Sequence, residues 1–149
     1  VTPTPTLPQY DGANVRGIVP ALLAPKGAVL PSWFPEMVSS SRQVALLVLD
    51  GLGWEQLKAR AAVAPTLAAM QGSAITTVAP STTATALTSI TTGLTPGEHG
   101  LVGYRMELAG EVLNVLRWHG DRGDLRRKFA PTETQPFDPF MGQRVAVVS

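Results

Sequence analysis

Gln43 to Asp50 reads QVALLVLD, a run of apolar residues that closes on a carboxylate and is followed at once by Gly-Leu-Gly. The run does not alternate with polar residues. Its length and Val/Leu content suit a strand buried on both faces, which is the condition of a strand in a parallel sheet. The glycines let the backbone turn sharply. Trp54 to Val63 (WEQLKARAAV) then supplies good helix formers. Strand, glycine turn and helix in that order open an α/β unit.

The rest of the chain continues the pattern. Ala64 to Gly72 predicts a short helix with Pro65 in its first turn and Gly72 as its stop. Ser73 to Pro80 predicts a second short strand. Thr83 to Gly93 predicts a helix with Leu87, Ile90 and Leu94 on one face and Gly93 as its cap. Threonine is a mediocre helix former, so this helix needs tertiary packing to hold it. Leu101 to Trp118 predicts two strands around the turn Ala109-Gly110. Asp121 to Ala130 suits a short charged helix, Pro131 to Pro139 a loop, and Gln143 to Ser149 (QRVAVVS) a final buried strand. The expected fold class is therefore α/β, with a largely parallel sheet flanked by helices.

Residues 1–40 differ in composition. Prolines punctuate them, so they read as an extended arm, anchored by Trp33 and Phe34. Residues 41–149 read as the N-terminal part of a domain, because a buried strand at the last residues would be left uncovered. Hydrophobic residues make up 44% and charged residues 15% of the 149, which excludes a disordered chain. A net charge of +1 gives no reason to expect nucleic acid. Arg122, Arg126, Arg127 and Lys128 are interrupted by Asp121 and Asp124, the pattern of a solvated face. With no cysteine there is no disulfide scaffold and no thiolate nucleophile. No apolar run reaches the length of a membrane helix.

Two places carry chemistry. Asp50 lies at the C-terminal end of a predicted parallel strand, where open α/β sheets place their ligands. Aspartate is equally at home as a turn or N-cap residue. The second place is VAPSTTATALTSITTGLTPGEHG (Val78 to Gly100). Ser81, Thr82 and Thr83 fall where its helix begins, near free N–H groups and the positive end of the helix dipole. Both favour an alkoxide or a bound phosphate. The dipole contributes only about 1 kcal/mol, and a divalent metal would do far more. Asp50 is a natural ligand for that metal, and simple N-capping by Ser81 or Thr82 is the competing reading. No Walker-type or GxGxxG run is present.

LLVLDGLG, followed by TTVAPSTTATALTSITTGLTPGEHGLVGY, resembles the alkaline phosphatase superfamily, and within it the type I phosphodiesterases and nucleotide pyrophosphatases. The matching residues are Pro80, Ser81, Thr82 and Thr83, then Thr92, Gly93, Pro96, His99 and Gly100, without a gap. The likeness runs from Val44 to Tyr104. It implies an alkaline-phosphatase-like fold, of which this chain carries the N-terminal part. Asp50 would be a metal ligand, and Thr83 both the nucleophile and a ligand of the same metal. The cofactors implied are two divalent ions, zinc foremost, with the remaining ligands in segments after Ser149. The substrate implied is a phosphate ester or nucleotide, attacked to give a covalent phospho- or nucleotidyl-enzyme that water then hydrolyses. Ala86 stands where the family has a phosphate-binding Asn. His99 matches a structural position in the turn after the helix, and His119 reads as a surface or capping residue. Phosphatases and other branches of the superfamily remain alternatives, as does a non-catalytic α/β binding module.

Overall fold

A computed structural model describes residues 5–148. The first four residues of the proline-rich arm and the last residue of the expected final strand lie outside the described residues. In chain order the helices are α1 (Ile18–Leu22), α2 (Glu36–Ser39), α3 (Trp54–Ala59), α4 (Pro65–Ala68), α5 (Thr83–Thr92), α6 (Pro96–His99) and α7 (Pro131–Thr134). The strands are β1 (Arg105–Leu108), β2 (Glu111–Asn114), β3 (His119–Gly120) and β4 (Gly123–Asp124). Short 3-10 turns occupy Val15–Gly17, Ala61–Val63 and Pro139–Gly142. The chain divides into two compact units. One joins the described residues up to Phe34 with those from Thr76 onward, and the other is Pro35–Ile75.

The first unit is built on α5. Ala84, Thr85, Ser89 and Ile90 form its buried stripe. The predicted stripe is only partly realised, because Ile90 is buried whereas Leu87 is exposed. Small residues let neighbouring backbone approach closely, and α1 and the two 3-10 turns Val15–Gly17 and Pro139–Gly142 pack against this helix. Its threonines, poor helix formers in isolation, bond back onto the preceding turn. Thr88, Thr91 and Thr92 donate to the carbonyls of Ala84, Leu87 and Thr88 at 2.8, 2.9 and 2.6 Å. Gly93 ends the helix at φ 75°, as the sequence predicts, and a Cβ there would lie 2.7 Å from Pro20 Cγ.

Beyond α6 the four strands form one sheet in the order β1-β2-β3-β4, every pair antiparallel. Ala109 and Gly110 sit at φ 47° and 81° between β1 and β2, the paired positive φ of a two-residue hairpin turn. One sheet face builds the core: Leu113, Val115, Trp118 and Leu125 pack with Ala84 and Leu101, and Met106, Leu108 and Phe129 join from the edge. Trp118 Nε1 donates to the Phe129 carbonyl at 2.7 Å, closing the core over the last turn.

The largely parallel sheet expected from the sequence is therefore not what the described residues form; their sheet is an antiparallel meander. The single parallel contact is an isolated bridge between Asn14 and Thr76. It is all that pairs within the predicted strand Ser73 to Pro80, although Val78 is 2% exposed. Residues 43–49 and 143–148 form no ladder. Leu47 is 70% and Val147 65% exposed. A doubly buried strand needs a hydrogen-bonding neighbour on each edge and a covering layer on each face. An apolar run supplies neither by itself. The predicted charged helix over Asp121 to Ala130 is replaced by the β3–β4 hairpin and one turn, in which Phe129 N–H donates to the Leu125 carbonyl at 2.8 Å. Gly123 at φ 116° breaks helical geometry there.

In the second unit, Gly53 precedes α3, whose first bond runs from Leu57 N–H to the Gly53 carbonyl. Pro65 opens α4 at its first position, as predicted, and α4 packs against α3 and the turn Ala61–Val63. Among the described residues no helix is long and apolar enough to cross a membrane.

Candidate active site

Thr83 is the first residue of α5. Thr82 occupies the cap position with extended backbone (φ −74°, ψ 152°), but its hydroxyl does not cap the helix. It lies 2.9 Å from the Thr85 hydroxyl instead. The first helical bond runs from Ala86 N–H to the Thr82 carbonyl at 2.8 Å. The N–H groups of the first turn therefore keep no side-chain acceptor, and the half-buried Thr83 hydroxyl stands beside them. Free N–H groups at the positive end of a helix suit an oxyanion or a phosphate oxygen. The capping alternative for Thr82 is thus not realised.

Asp50 sits in the second unit, exposed, in a turn closed by Leu52 N–H to the Leu49 carbonyl at 3.2 Å. Gly51 follows at φ 77°, so Asp50 and Gly51 are the central pair of a tight turn that requires a glycine at its second position. Gly53, not Asp50, occupies the cap of α3. Asp50 and Thr83 thus belong to different units. Ala86 is half-buried on the turn of α5 after Thr83.

His99 has the structural surroundings expected of it. It is 1% exposed. Its Nδ1 accepts from Leu101 N–H at 3.1 Å, so the ring proton resides on Nε2, which faces Ser89 Oγ at 2.9 Å. Its carbonyl accepts from Gln135 Nε2 at 2.7 Å. Burial holds the ring below the ordinary histidine range, only partly offset by a backbone hydrogen bond and by Glu98. With Nε2 donating, this ring cannot take a proton from Ser89, so the pair is a lock and not a nucleophile–base couple. His119 is exposed, with Nδ1 3.3 Å from the Arg117 carbonyl.

Among the described residues no three His, Asp or Glu side chains gather where they could hold a metal ion. A zinc site needs about four donors, so Asp50 and Thr83 alone are an incomplete set, even taken together.

The type I phosphodiesterase / nucleotide pyrophosphatase family matches residues 44–137, well over half the chain. The chain belongs to this family. No curated protein and no solved structure gives a significant match. The family span takes in Asp50, Thr83, Ala86 and His99, and it extends beyond Tyr104 through the antiparallel sheet. Membership bears out the resemblance seen in the motifs and places the chain in a family of phosphoric-ester hydrolases.

Other contributors were not legible beforehand. Arg16 donates from Nη1 to the Gly93 carbonyl at 3.1 Å and from Nε to the Tyr10 carbonyl at 2.9 Å, tying the start of the chain to the end of α5. Asn14, 1% exposed, donates to Thr76 Oγ1 and to the Thr77 carbonyl, both at 3.0 Å. The Arg16–Gly93 bond and both Asn14 bonds link residues more than 60 positions apart, and no local pattern announces such a pairing. Ser89 is different. A small polar residue on the buried stripe of a helix, ten positions before a histidine, is a visible signal.

Proposed function

We propose that the protein hydrolyses phosphoric diesters or nucleotide pyrophosphates by covalent catalysis, with Thr83 as the nucleophile. The observation that carries this reading is the position of Thr83 in the family-matched span, at the start of a ten-residue helix whose N-terminus has no side-chain cap. The Thr83 oxygen attacks phosphorus, and the bond to the leaving oxygen breaks with its electron pair. The phosphorylated or nucleotidylated threonine is released by water, whose oxygen forms the new bond to phosphorus as the threonine oxygen leaves. Negative charge gathers on the non-bridging oxygens during both steps. The uncapped N–H groups of the first turn of α5 are suited to accept it.

In this reading Asp50 and Thr83 are two ligands of a pair of divalent ions, zinc foremost, and the other ligands come from outside the described residues. Such ions neutralise charge on the phosphoryl group when bound. The complete catalytic domain would have the alkaline-phosphatase-like fold.

Ala86 favours a second reading, in which the site binds a phosphate ester without turning it over. A side-chain amide at that position could donate to a phosphate oxygen, and a methyl group cannot. One experiment separates the two. The protein, in a form that includes the segments carrying the other ligands, is assayed with a nitrophenyl phosphodiester in the presence of zinc, alongside Thr83→Ala. Residues 1–149 by themselves are expected to give no turnover, because their ligand set is incomplete among the described residues. Covalent catalysis predicts turnover by the parent, none by the variant, and after rapid quenching a Thr83 peptide whose phosphoryl group still carries the second ester substituent of the diester. Full activity in Thr83→Ala would remove Thr83 as nucleophile. Ligand binding by the parent without turnover would favour the binding module.

A further inference from the structure

The outer face of the antiparallel sheet carries a polar row set by strand register. Arg105 pairs with Asn114, Asn114 with His119, and His119 with Asp124. Directly paired residues point to the same side, so these four side chains cross all four strands on the face away from the Leu113 core. An open cleft of about 630 Å³ lies over this row. Arg105, Arg117 and Arg126 line it, with Asn114 and His119 between them and Val112 and Leu116 supplying apolar surface. Asp121 is the sole carboxylate in its lining.

The three guanidinium groups are not equivalent. Arg126 Nη1 bonds Asp124 Oδ2 at 2.6 Å, and Arg126 Nη2 reaches the Arg117 carbonyl at 3.2 Å. Arg126 is therefore neutralised and serves to fix the Arg117 turn. Asn114 Oδ1 also fixes that turn by accepting from the N–H groups of Leu116 and Arg117, both at 3.2 Å. His119 Nδ1 donates to the same Arg117 carbonyl. Three side chains thus converge on one turn and hold Arg117 at the cleft. Arg105 and Arg117 make no ion pair among the described residues. Glu107, on the same face two residues along β1, does not pair with Arg105.

From this arrangement we infer that the outer face of the sheet is a binding site for a small phosphomonoester. Asn114 Nδ2 gives one hydrogen to Tyr104 Oη at 2.7 Å. Its other amide hydrogen and two free guanidinium forks offer more donors than the two oxygens of a carboxylate use. A terminal phosphate has three oxygens and close to two negative charges. Val112 and Leu116, 46% and 50% exposed, give an apolar body somewhere to lie. The inference does not rest on Thr83 or on catalysis, and it concerns a small anion rather than nucleic acid.

Phenyl phosphate, inorganic phosphate and the neutral analogue benzyl alcohol are titrated into the protein. Side-chain amide and imidazole NMR signals of Asn114 and His119 report the site. Saturable shifts are expected with phenyl phosphate, weaker ones with inorganic phosphate, and none with benzyl alcohol. Arg105→Ala and Arg117→Ala each weaken binding about tenfold or more, as expected for lost charge-assisted bonds. Arg117→Lys also weakens it, because an ammonium keeps the charge and loses the fork. Thr83→Ala binds phenyl phosphate at this face like the parent, which keeps the outcome distinct from that of the proposed active site. Unsaturable shifts, or unchanged affinity in the Arg105→Ala, Arg117→Ala double variant, would overturn the assignment. So would full affinity in Arg117→Lys, which would reduce the effect to diffuse charge attraction. Both arginines are exposed, and retained near-ultraviolet circular dichroism confirms that the variants fold.

Discussion

His99 Nε2 donates to Ser89 Oγ across 2.9 Å inside the first unit, while its Nδ1 accepts from Leu101 N–H. Both ring nitrogens are engaged as those of a neutral imidazole, and a second ring proton would confront an N–H donor. Burial adds to the penalty on the charged form. The folded pKa therefore lies below the unfolded value of 6.5. The unfolded chain binds more protons between those two values, so stability is lost as pH falls below 6.5 and the loss ends at the folded pKa. Urea midpoints measured against pH check this, with His99→Phe expected to flatten that part of the curve. Ser89→Ala leaves the Nε2 donor buried without an acceptor and is expected to cost about 1–3 kcal/mol.

A separate acid limb is expected lower on the pH scale. The Thr95 backbone N–H bonds Glu98 Oε2 at 2.7 Å, and the Thr95 hydroxyl bonds the same oxygen at 2.8 Å. These bonds hold the Glu98 carboxyl below its usual range, the backbone bond first. Their stabilisation is present above the unfolded value of 4.5 and is lost as pH falls through the lowered folded value. Glu98→Gln should remove this contribution from the acid limb and leave the His99 limb in place, a separation visible in one series of pH-dependent melts.

Gly93→Ala is expected to destabilise the protein by about 1–2 kcal/mol or more, read from the thermal midpoint. The residue caps α5 at φ 75°, where a Cβ is strained. The same Cβ would also meet Pro20 at 2.7 Å. Asn, which tolerates the left-handed region, relieves only the backbone part. Gly93→Asn should therefore remain less stable than the parent, which tells the Pro20 contact apart from the φ requirement.

Gly93 also marks the boundary of what the sequence conveys. Its role as a cap is legible, because a glycine after a helical run has a local cause. So are the Pro65 helix start and the Ala109-Gly110 hairpin, each dictated by neighbours within a few residues, whereas the structural role of His99 was legible only through the family resemblance, since its partner Ser89 lies ten positions away. The error over Gln43 to Asp50 has the opposite origin. Apolarity records that a run tends to leave water, and it is silent on which strand pairs with it. The antiparallel sheet was half legible, since the β1–β2 turn is written locally while the two-residue strands β3 and β4 are too short to carry a period. At the candidate site, the motif singles out Thr83 by position. That Thr82 bonds Thr85 and leaves the helix uncapped depends on rotamers, which the sequence does not encode locally. Arg105 and Arg117, the two cleft arginines without an ion pair among the described residues, lie 12 positions apart, and it is the register of β1 on β2 that sets Arg105 beside Asn114, whose side chain holds the Arg117 turn.

Arg16→Ala is expected to cost about 1–3 kcal/mol, measured by chemical denaturation. The side chain is partly buried and donates to two backbone carbonyls, of Tyr10 and Gly93. Removing it leaves the Gly93 carbonyl at the end of α5 without its charged donor. Its approach to Asp11 at 3.8 Å contributes little, because that carboxylate is fully exposed. Asp11→Asn should accordingly be close to neutral.

The last prediction concerns Ala86. It follows Thr83 by three residues in α5, so the two lie on neighbouring positions of one helix face. If Thr83 attacks phosphorus, an amide at position 86 is suitably placed along the helix to donate to a phosphate oxygen as charge develops. Ala86→Asn is expected to raise kcat for a nitrophenyl phosphodiester, up to the roughly hundredfold effect of a well-placed oxyanion donor. The substitution costs about 0.5 kcal/mol in helix propensity, too little to unfold the unit. The gain must vanish when Thr83→Ala is combined with it, since a donor without a nucleophile has no transition state to stabilise. An unchanged kcat in Ala86→Asn, with binding also unchanged, would mean that the substrate phosphate does not reach this turn of α5.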